Sequence, residues 1–373
     1  MPGSGSEHSA DRSQPALALS GGGFRATLFH CGALIRLNEL GLLTRFVRIS
    51  SVSGGSITAG MLAAAWKRLV VKDGVIVNLG AAVIDPLRVF CTRSLDTSAV
   101  GWGALLPGVS VGDMLADAYD DLFGGITLQD LPDTPQFVFN ATNLQTGRLV
   151  RLQKRRLADY TIGEIPGPKV RIAVAVAASS AFPPVLSPVE IVTDPGAWRK
   201  LEGAIHHGDP AYTRKLSLTD GGTYDNLGLE TVDDFRTIVV SDAGAPFGTE
   251  EEASGFWPKQ AMRALDIATD QARGLRKRLL FAECAAKGRQ PVYAGIDGDP
   301  AAYPALQVIT AGPERIRALA RMRTRLNPFS EAEQGQLINW GWLAMDVAAR
   351  SFLVPGAAVP TTLPVPAFPL DDR

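Results

Sequence analysis

The chain has 373 residues, 46% of them hydrophobic and 20% charged, enough apolar material for a large core and too much for wholesale disorder. Its 37 Lys and Arg against 38 Asp and Glu give a net charge of -1, without the basic surplus of a nucleic-acid binder. Three dispersed cysteines, Cys31, Cys91 and Cys284, make no disulfide framework, and the polar leader has no apolar signal core, which together predict a cytoplasmic protein.

In chain order, a leader over residues 1–15 precedes a short apolar run at 16–20, three glycines, and helical spacing over 26–43. A second strand is predicted at 46–52, running into Ser53-Gly54-Gly55 and a small-residue helix over 57–71. Strand, turn and helix twice over predict an α/β fold: a central, mainly parallel sheet flanked by helices, with helical additions at the C-terminus. Residues 73–130 are less regular, with Trp102, Leu105, Leu106 and Pro107 in a Gly-rich stretch. Further strands are predicted at 136–141, 148–152, 170–176, 215–219 and 237–241, and helices at 260–284, 314–326 and 330–351. The uncharged run over 172–189 is broken by Pro183, Pro184 and Pro188 and reads as a buried strand and loop, not a membrane span. One domain over 16–353 is expected, then an extended Pro-rich tail over 354–373.

Three features carry chemistry. Gly21-Gly22-Gly23-Phe24-Arg25 lies between a strand and a helix, where glycines let a ligand approach backbone N–H groups aimed at negative charge. An acyl-transfer oxyanion is such a charge, with Arg25 a possible cationic donor to it or to a lipid phosphate. A structural turn is the competing reading, and a nucleotide loop is disfavoured because neither G-x-G-x-x-G nor G-K-[ST] is present. Next, Ser51-Val52-Ser53-Gly54-Gly55 sits where a nucleophile elbow belongs, although Ser51 replaces the first glycine of G-x-S-x-G. Ser50, Ser51 and Ser56 are rival hydroxyls, but only Ser53 holds the elbow position. Finally, Asp220-Gly221-Gly222 follows a predicted strand; Asp-Gly is a common turn pair, and Asp225 and Asp242 are rival carboxylates.

Taken in this order, GGGFRA, SVSGGS and DGG resemble the patatin-like phospholipase family, and ASSAFPPVLSPV over 178–189 is similar to a family segment between elbow and aspartate. The resemblance covers roughly residues 17–228, and the S-x-S-G-G form also resembles the animal cytosolic phospholipase A enzymes. It implies a Ser–Asp dyad: Ser53 attacks an ester, Asp220 is its base, and Gly21, Gly22, Gly23, Gly54 and Arg25 surround the oxyanion. It further implies a phospholipid or other acyl-lipid substrate, transient contact with a membrane surface, and no metal or organic cofactor. A soluble esterase and a non-catalytic lipid-binding module are the alternatives. Oligomeric state stays open.

Other residues invite plainer readings. His206, His207 and Asp209 read as a polar loop rather than a metal site, and His30 as a packed core histidine. Trp340 and Trp342 read as helix packing. Arg273, Arg276, Lys277 and Arg278 read as a solvated helix face with a possible attraction to anionic lipid. No histidine follows His207, so an α/β-hydrolase triad ordered Ser, acid, His cannot use Asp220 as its acid.

Overall fold

The computed structural model describes residues 11–95, 111–184, 186–244, 246–288 and 291–372. The expected stretch containing Trp102, Leu105, Leu106 and Pro107 lies outside these residues. The helices are α1 (Gly23–Glu39), α2 (Gly54–Ala65), α3 (Asp85–Phe90), α4 (Val111–Phe123), α5 (Ile172–Ser180), α6 (Pro210–Thr213), α7 (Gly222–Asp225), α8 (Trp257–Ala286), α9 (Pro313–Ala320) and α10 (Glu331–Phe352). The strands are β1 (Pro15–Leu19), β2 (Arg48–Val52), β3 (Val71–Lys72), β4 (Val75–Ile76), β5 (Gln136–Asn143), β6 (Arg148–Leu152), β7 (Arg156–Asp159), β8 (Gly163–Pro166), β9 (Val189–Val192), β10 (Lys215–Asp220), β11 (Thr237–Asp242) and β12 (Val292–Gly295).

The main sheet has ten strands in the order β12-β11-β1-β2-β5-β6-β7-β8, with β10 pairing β5 and β9 off that path. The block from β12 to β5 is parallel throughout, and the strands beyond β5 pair antiparallel. Parallel strands need covered faces, and β1 shows both. Its Leu17 and Leu19 enter the main core, while Ala16 and Ala18 face Leu280 and Cys284 of α8 on the other side. Helix α10 packs on α1 so closely that a methyl group at Gly32 or Gly341 would overlap the opposing backbone. Trp340 donates to the Ile296 carbonyl at 2.7 Å and Trp342 to Glu39 at 3.0 Å, so both are packing residues.

Four expectations need correction. Residues 170–176 do not form a strand; helix α5 occupies Ile172–Ser180. All its residues but Val174 are buried, and a helix apolar on every side has no periodicity to distinguish it from a buried strand. The helix expected over 314–326 ends at Ala320, and the chain beyond it runs as a loop to Thr324 and Arg325. Strands β7, β8, β9 and β12 of the main sheet, and the separate β3–β4 pair, were not anticipated. The basic cluster of α8 is not a uniformly solvated face: Arg273 is buried in an ion pair with Asp242, and Arg276 lies 3.6 Å from Asp225. Residues 354–372 contain no helix or strand and lie along α10, where Asn339 donates to the carbonyls of Val365 and Phe368. No helix among the described residues is long and apolar enough to cross a membrane.

Candidate active site

Sheet register explains why Ser53 and Asp220 meet. Strand β2 runs parallel to β5 and stops with Val52 opposite Asn140. Strand β10 runs the other way along β5 and stops with Asp220 opposite Ala141. The two strand ends therefore approach head to head on consecutive positions of one neighbour. Residues far apart in sequence become adjacent by pairing alone.

Ser53 has φ 51 and ψ -122, a left-handed conformation outside the comfortable range for a side-chain-bearing residue. Such strain costs about 1–3 kcal/mol and persists where surrounding structure enforces it. Here the Ser53 N–H donates to the Ser179 carbonyl at 3.1 Å, and its own carbonyl accepts the N–H of Ser56 at 2.8 Å. Gly54 is required beside it, because a methyl group there would overlap the Gly23 carbonyl. The rival hydroxyls are occupied and fully buried: Ser50 donates to the Gly228 carbonyl at 2.6 Å, Ser51 to Val138 at 3.2 Å, and Ser56 to Ser51 at 2.9 Å. Ser53 alone of the four retains exposure, 8%.

Asp220 is 2% exposed. Burial disfavours its charge and pushes the carboxyl up to about 6, although the Ser53 hydroxyl and the Gly222 N–H both act to lower it. The Gly222 N–H donates to Oδ1 at 2.7 Å. Among the described residues no cation contributes to this balance. The rival carboxylates differ. Asp225 accepts the N–H groups of Leu227 and Glu230, holding its own loop. Asp242 is fully buried, and burial alone would raise it, but Arg273, Tyr293 and the Gly244 N–H outweigh that and hold it below its ordinary value.

The glycine loop lies against the elbow. Gly22 and Gly23 have φ 142 and 58, and a methyl group at Gly23 would overlap the Thr324 carbonyl. The Gly21 N–H is already used, donating to the Asn226 carbonyl at 3.0 Å. Those of Gly22, Gly23 and Gly54 have no acceptor among the described residues, as expected where helices begin. Arg25 points away from this opening. Its guanidinium donates to the carbonyls of Ala320, Met322 and Ala243 at 2.8, 2.9 and 2.6 Å. Burial, with Arg273 nearby, pulls its pKa down to about 10. Arg25 thus fastens the loop from below rather than facing the serine.

Two residues were missed in the sequence. Ser179, at the end of α5, accepts at its carbonyl both the Ser53 N–H and the Gly221 N–H, each at 3.1 Å, so one peptide oxygen ties both halves of the pair. Its hydroxyl donates to the Asn140 carbonyl at 2.6 Å. The AlaSerSerAla stretch was noticed, but reading the preceding run as a strand hid this role. Asn226 follows the Asp-Gly-Gly turn by four residues and places its amide beside Gly21 and Gly222. Its short distance from Asp220 in sequence was the available signal.

The three histidines among the described residues lie in structural settings. His30 contacts the Ser241 hydroxyl at 2.7 Å and the Ser20 carbonyl at 2.9 Å, and burial drives its pKa down to about 4. His206 stacks on Tyr212 at 4.0 Å, His207 lies 3.3 Å from the Ile162 carbonyl, and Asp209 caps α6.

Comparison with known proteins bears on the fold and the family. A search of curated proteins finds no match. Human GIVD cytosolic phospholipase A2 is similar in fold, with 14% identity, a TM-score of 0.50, and coverage of 91% of this chain and 61% of that one. This chain therefore spans less than two thirds of that enzyme's length. VipD from Legionella pneumophila aligns with 15% identity, a TM-score of 0.38, and coverage of 91% and 67%. The family described as Patatin-like phospholipase matches residues 17–233, more than half of the sequence and all of the site just described. The chain belongs to the patatin-like phospholipase family.

Proposed function

We propose that the protein is a lipid acyl hydrolase of phospholipase A or lysophospholipase type, cleaving carboxylic esters through an acyl–Ser53 intermediate with Asp220 as the only base. The observation that carries this reading is the strained Ser53 facing a buried carboxyl raised to about 6, with no cation among the described residues acting on it. An ordinary aspartate, at about 3.9, is a weak proton acceptor from an alcohol. A raised one is better matched to neutral pH while remaining ionised there.

Ser53 Oγ attacks the ester carbonyl as its proton passes to Asp220. The N–H groups of Gly22, Gly23 and Gly54 stabilise the oxyanion, each such donor contributing a few kcal/mol. Collapse expels the alcohol, which takes the proton from Asp220. Water then attacks the acyl–Ser53 ester, giving its proton to Asp220, and Ser53 leaves with that proton. The family supports an acyl lipid as substrate. We place the enzyme in the cytoplasm, meeting membranes transiently, with residues 16–353 as one catalytic domain.

A fluorophosphonate should label the folded protein on Ser53, and Ser53→Ala should abolish both labelling and ester hydrolysis. Label on another residue, or turnover by folded Ser53→Ala, would overturn the assignment. Hydrolysis of long-chain phospholipid in vesicles should exceed that of short soluble esters. Activity confined to the short esters would instead make the protein a soluble esterase.

A further inference from the structure

We propose that the Asn226 side-chain amide holds the oxygen that departs in acylation and the water that arrives in deacylation. This rests on the dyad reading above. The backbone around Asn226 is pinned: its carbonyl accepts the Gly21 N–H, while the preceding Asp225 carboxyl accepts the N–H groups of Leu227 and Glu230. Arg276 of α8 sits 3.6 Å from that same carboxyl. The side chain, by contrast, makes no hydrogen bond among the described residues and is only part-buried.

Its position follows from two glycines. A methyl group at Gly21 would overlap the Asn226 amide oxygen and lie 3.1 Å from Ser53 Cβ. One at Gly222 would lie 2.6 Å from that amide oxygen and 3.0 Å from Asp220 Oδ1. Ser53, Asp220 and the Asn226 amide oxygen thus gather around the two glycines, and the amide oxygen takes the room that a side chain at either would need. The oxyanion has donors in Gly22, Gly23 and Gly54. An oxygen beside Asp220 is the one that exchanges a proton with it, which is the leaving alcohol in the first half-reaction and water in the second. An amide both donates and accepts, so it suits an alcohol and a water equally.

In deacylation, the water oxygen bonds to the acyl carbon as one water proton moves to Asp220. The tetrahedral intermediate then breaks its bond to Ser53 Oγ, which takes that proton, and a carboxylic acid is released. Removing the amide misplaces water without touching Ser53, Asp220 or the oxyanion donors.

The test compares wild type with Asn226→Ala and Asn226→Asp, using a chromogenic fatty-acid ester and a fluorophosphonate, with intact-protein mass spectrometry. Expected for Asn226→Ala is steady-state turnover lowered about ten- to a hundredfold, fluorophosphonate labelling within about threefold of wild type, and acyl–Ser53 accumulating, because the chromogenic ester's nitrophenolate departs without taking a proton whereas water must still be placed. Asn226→Asp, which keeps an acceptor, should recover part of the deacylation rate. Labelling that falls in step with turnover would overturn the proposal and make Asn226 a support of the glycine loop. Unchanged turnover would overturn it too. If wild type forms no acyl–Ser53 and takes no label, the dyad reading itself has failed, which is a different result.

Discussion

Asp220 and Asp242 are nearly the same locally and opposite electrostatically. Each ends a strand of the main sheet, each is almost wholly buried, and each accepts the N–H two residues later, from Gly222 at 2.7 Å and from Gly244 at 2.8 Å. They diverge in what else reaches them. Asp242 receives the Arg273 guanidinium through Nε and Nη2 at 3.1 and 2.8 Å and also the Tyr293 hydroxyl. Asp220 has a serine hydroxyl and, among the described residues, no cation. One carboxyl is held below its usual range and the other is pushed up to about 6. A buried aspartate is held charged or left with a raised pKa according to what the fold brings to it.

Substitution should separate the two roles sharply. Asp220→Asn should cut ester hydrolysis roughly a thousandfold or more, the upper range for a general base, because the amide keeps the shape but takes no proton. Because folding raises this carboxyl's pKa, the folded state binds the extra proton between about 3.8 and about 6. Its stabilising contribution is complete below that window and is lost as pH rises through it. Asp220→Asn should therefore melt no lower than wild type at pH 8, by thermal unfolding, and its relative advantage should shrink at pH 4.

Asp242→Asn should do the reverse. It leaves Arg273 buried without its partner, a loss on the order of 3–5 kcal/mol, visible as a large drop in melting temperature. Turnover per folded molecule should fall much less than in Asp220→Asn. If Asp242→Asn abolishes activity in folded protein while Asp220→Asn does not, strut and base have been exchanged.

Arg25→Ala should have a smaller effect, about ten- to a hundredfold on turnover with some loss of stability, because three carbonyls beneath the glycine loop lose their donor. An unchanged rate and melting temperature would show that the loop needs no such fastening. Least affected should be His206→Ala/His207→Ala and folded His30→Gln, which should keep most activity. A thousandfold loss in any of them, with normal thermal stability, would replace the dyad with a triad.

The comparison also marks how far the sequence could be read. The strand–turn–helix at Ser53 was legible because it is local: an apolar strand, small neighbours and a helix start within a few residues. Asp220 could be singled out only in company with the two earlier motifs, since Asp-Gly alone is a common turn. The partners that decide the matter are remote: Arg273 lies 31 residues beyond Asp242 and Tyr293 lies 51 beyond it. No periodicity announces such pairing, so Arg273 read as solvated. Arg25 was noticed beside the right loop, but its direction depends on carbonyls near residue 320. Helix α5 was hidden for another reason, because uniform burial erases the amphipathic pattern that identifies a helix.

The most direct test is the pH dependence of the rate at which a fluorophosphonate labels Ser53. In wild type that rate should rise with pH through a single inflection near 6, as Asp220 loses its proton. In Asp220→Asn it should be roughly a thousandfold lower at neutral pH and without that inflection. An inflection near 6 that survives in Asp220→Asn, or one that vanishes when His30, His206 or His207 is replaced, would contradict the Ser53–Asp220 dyad.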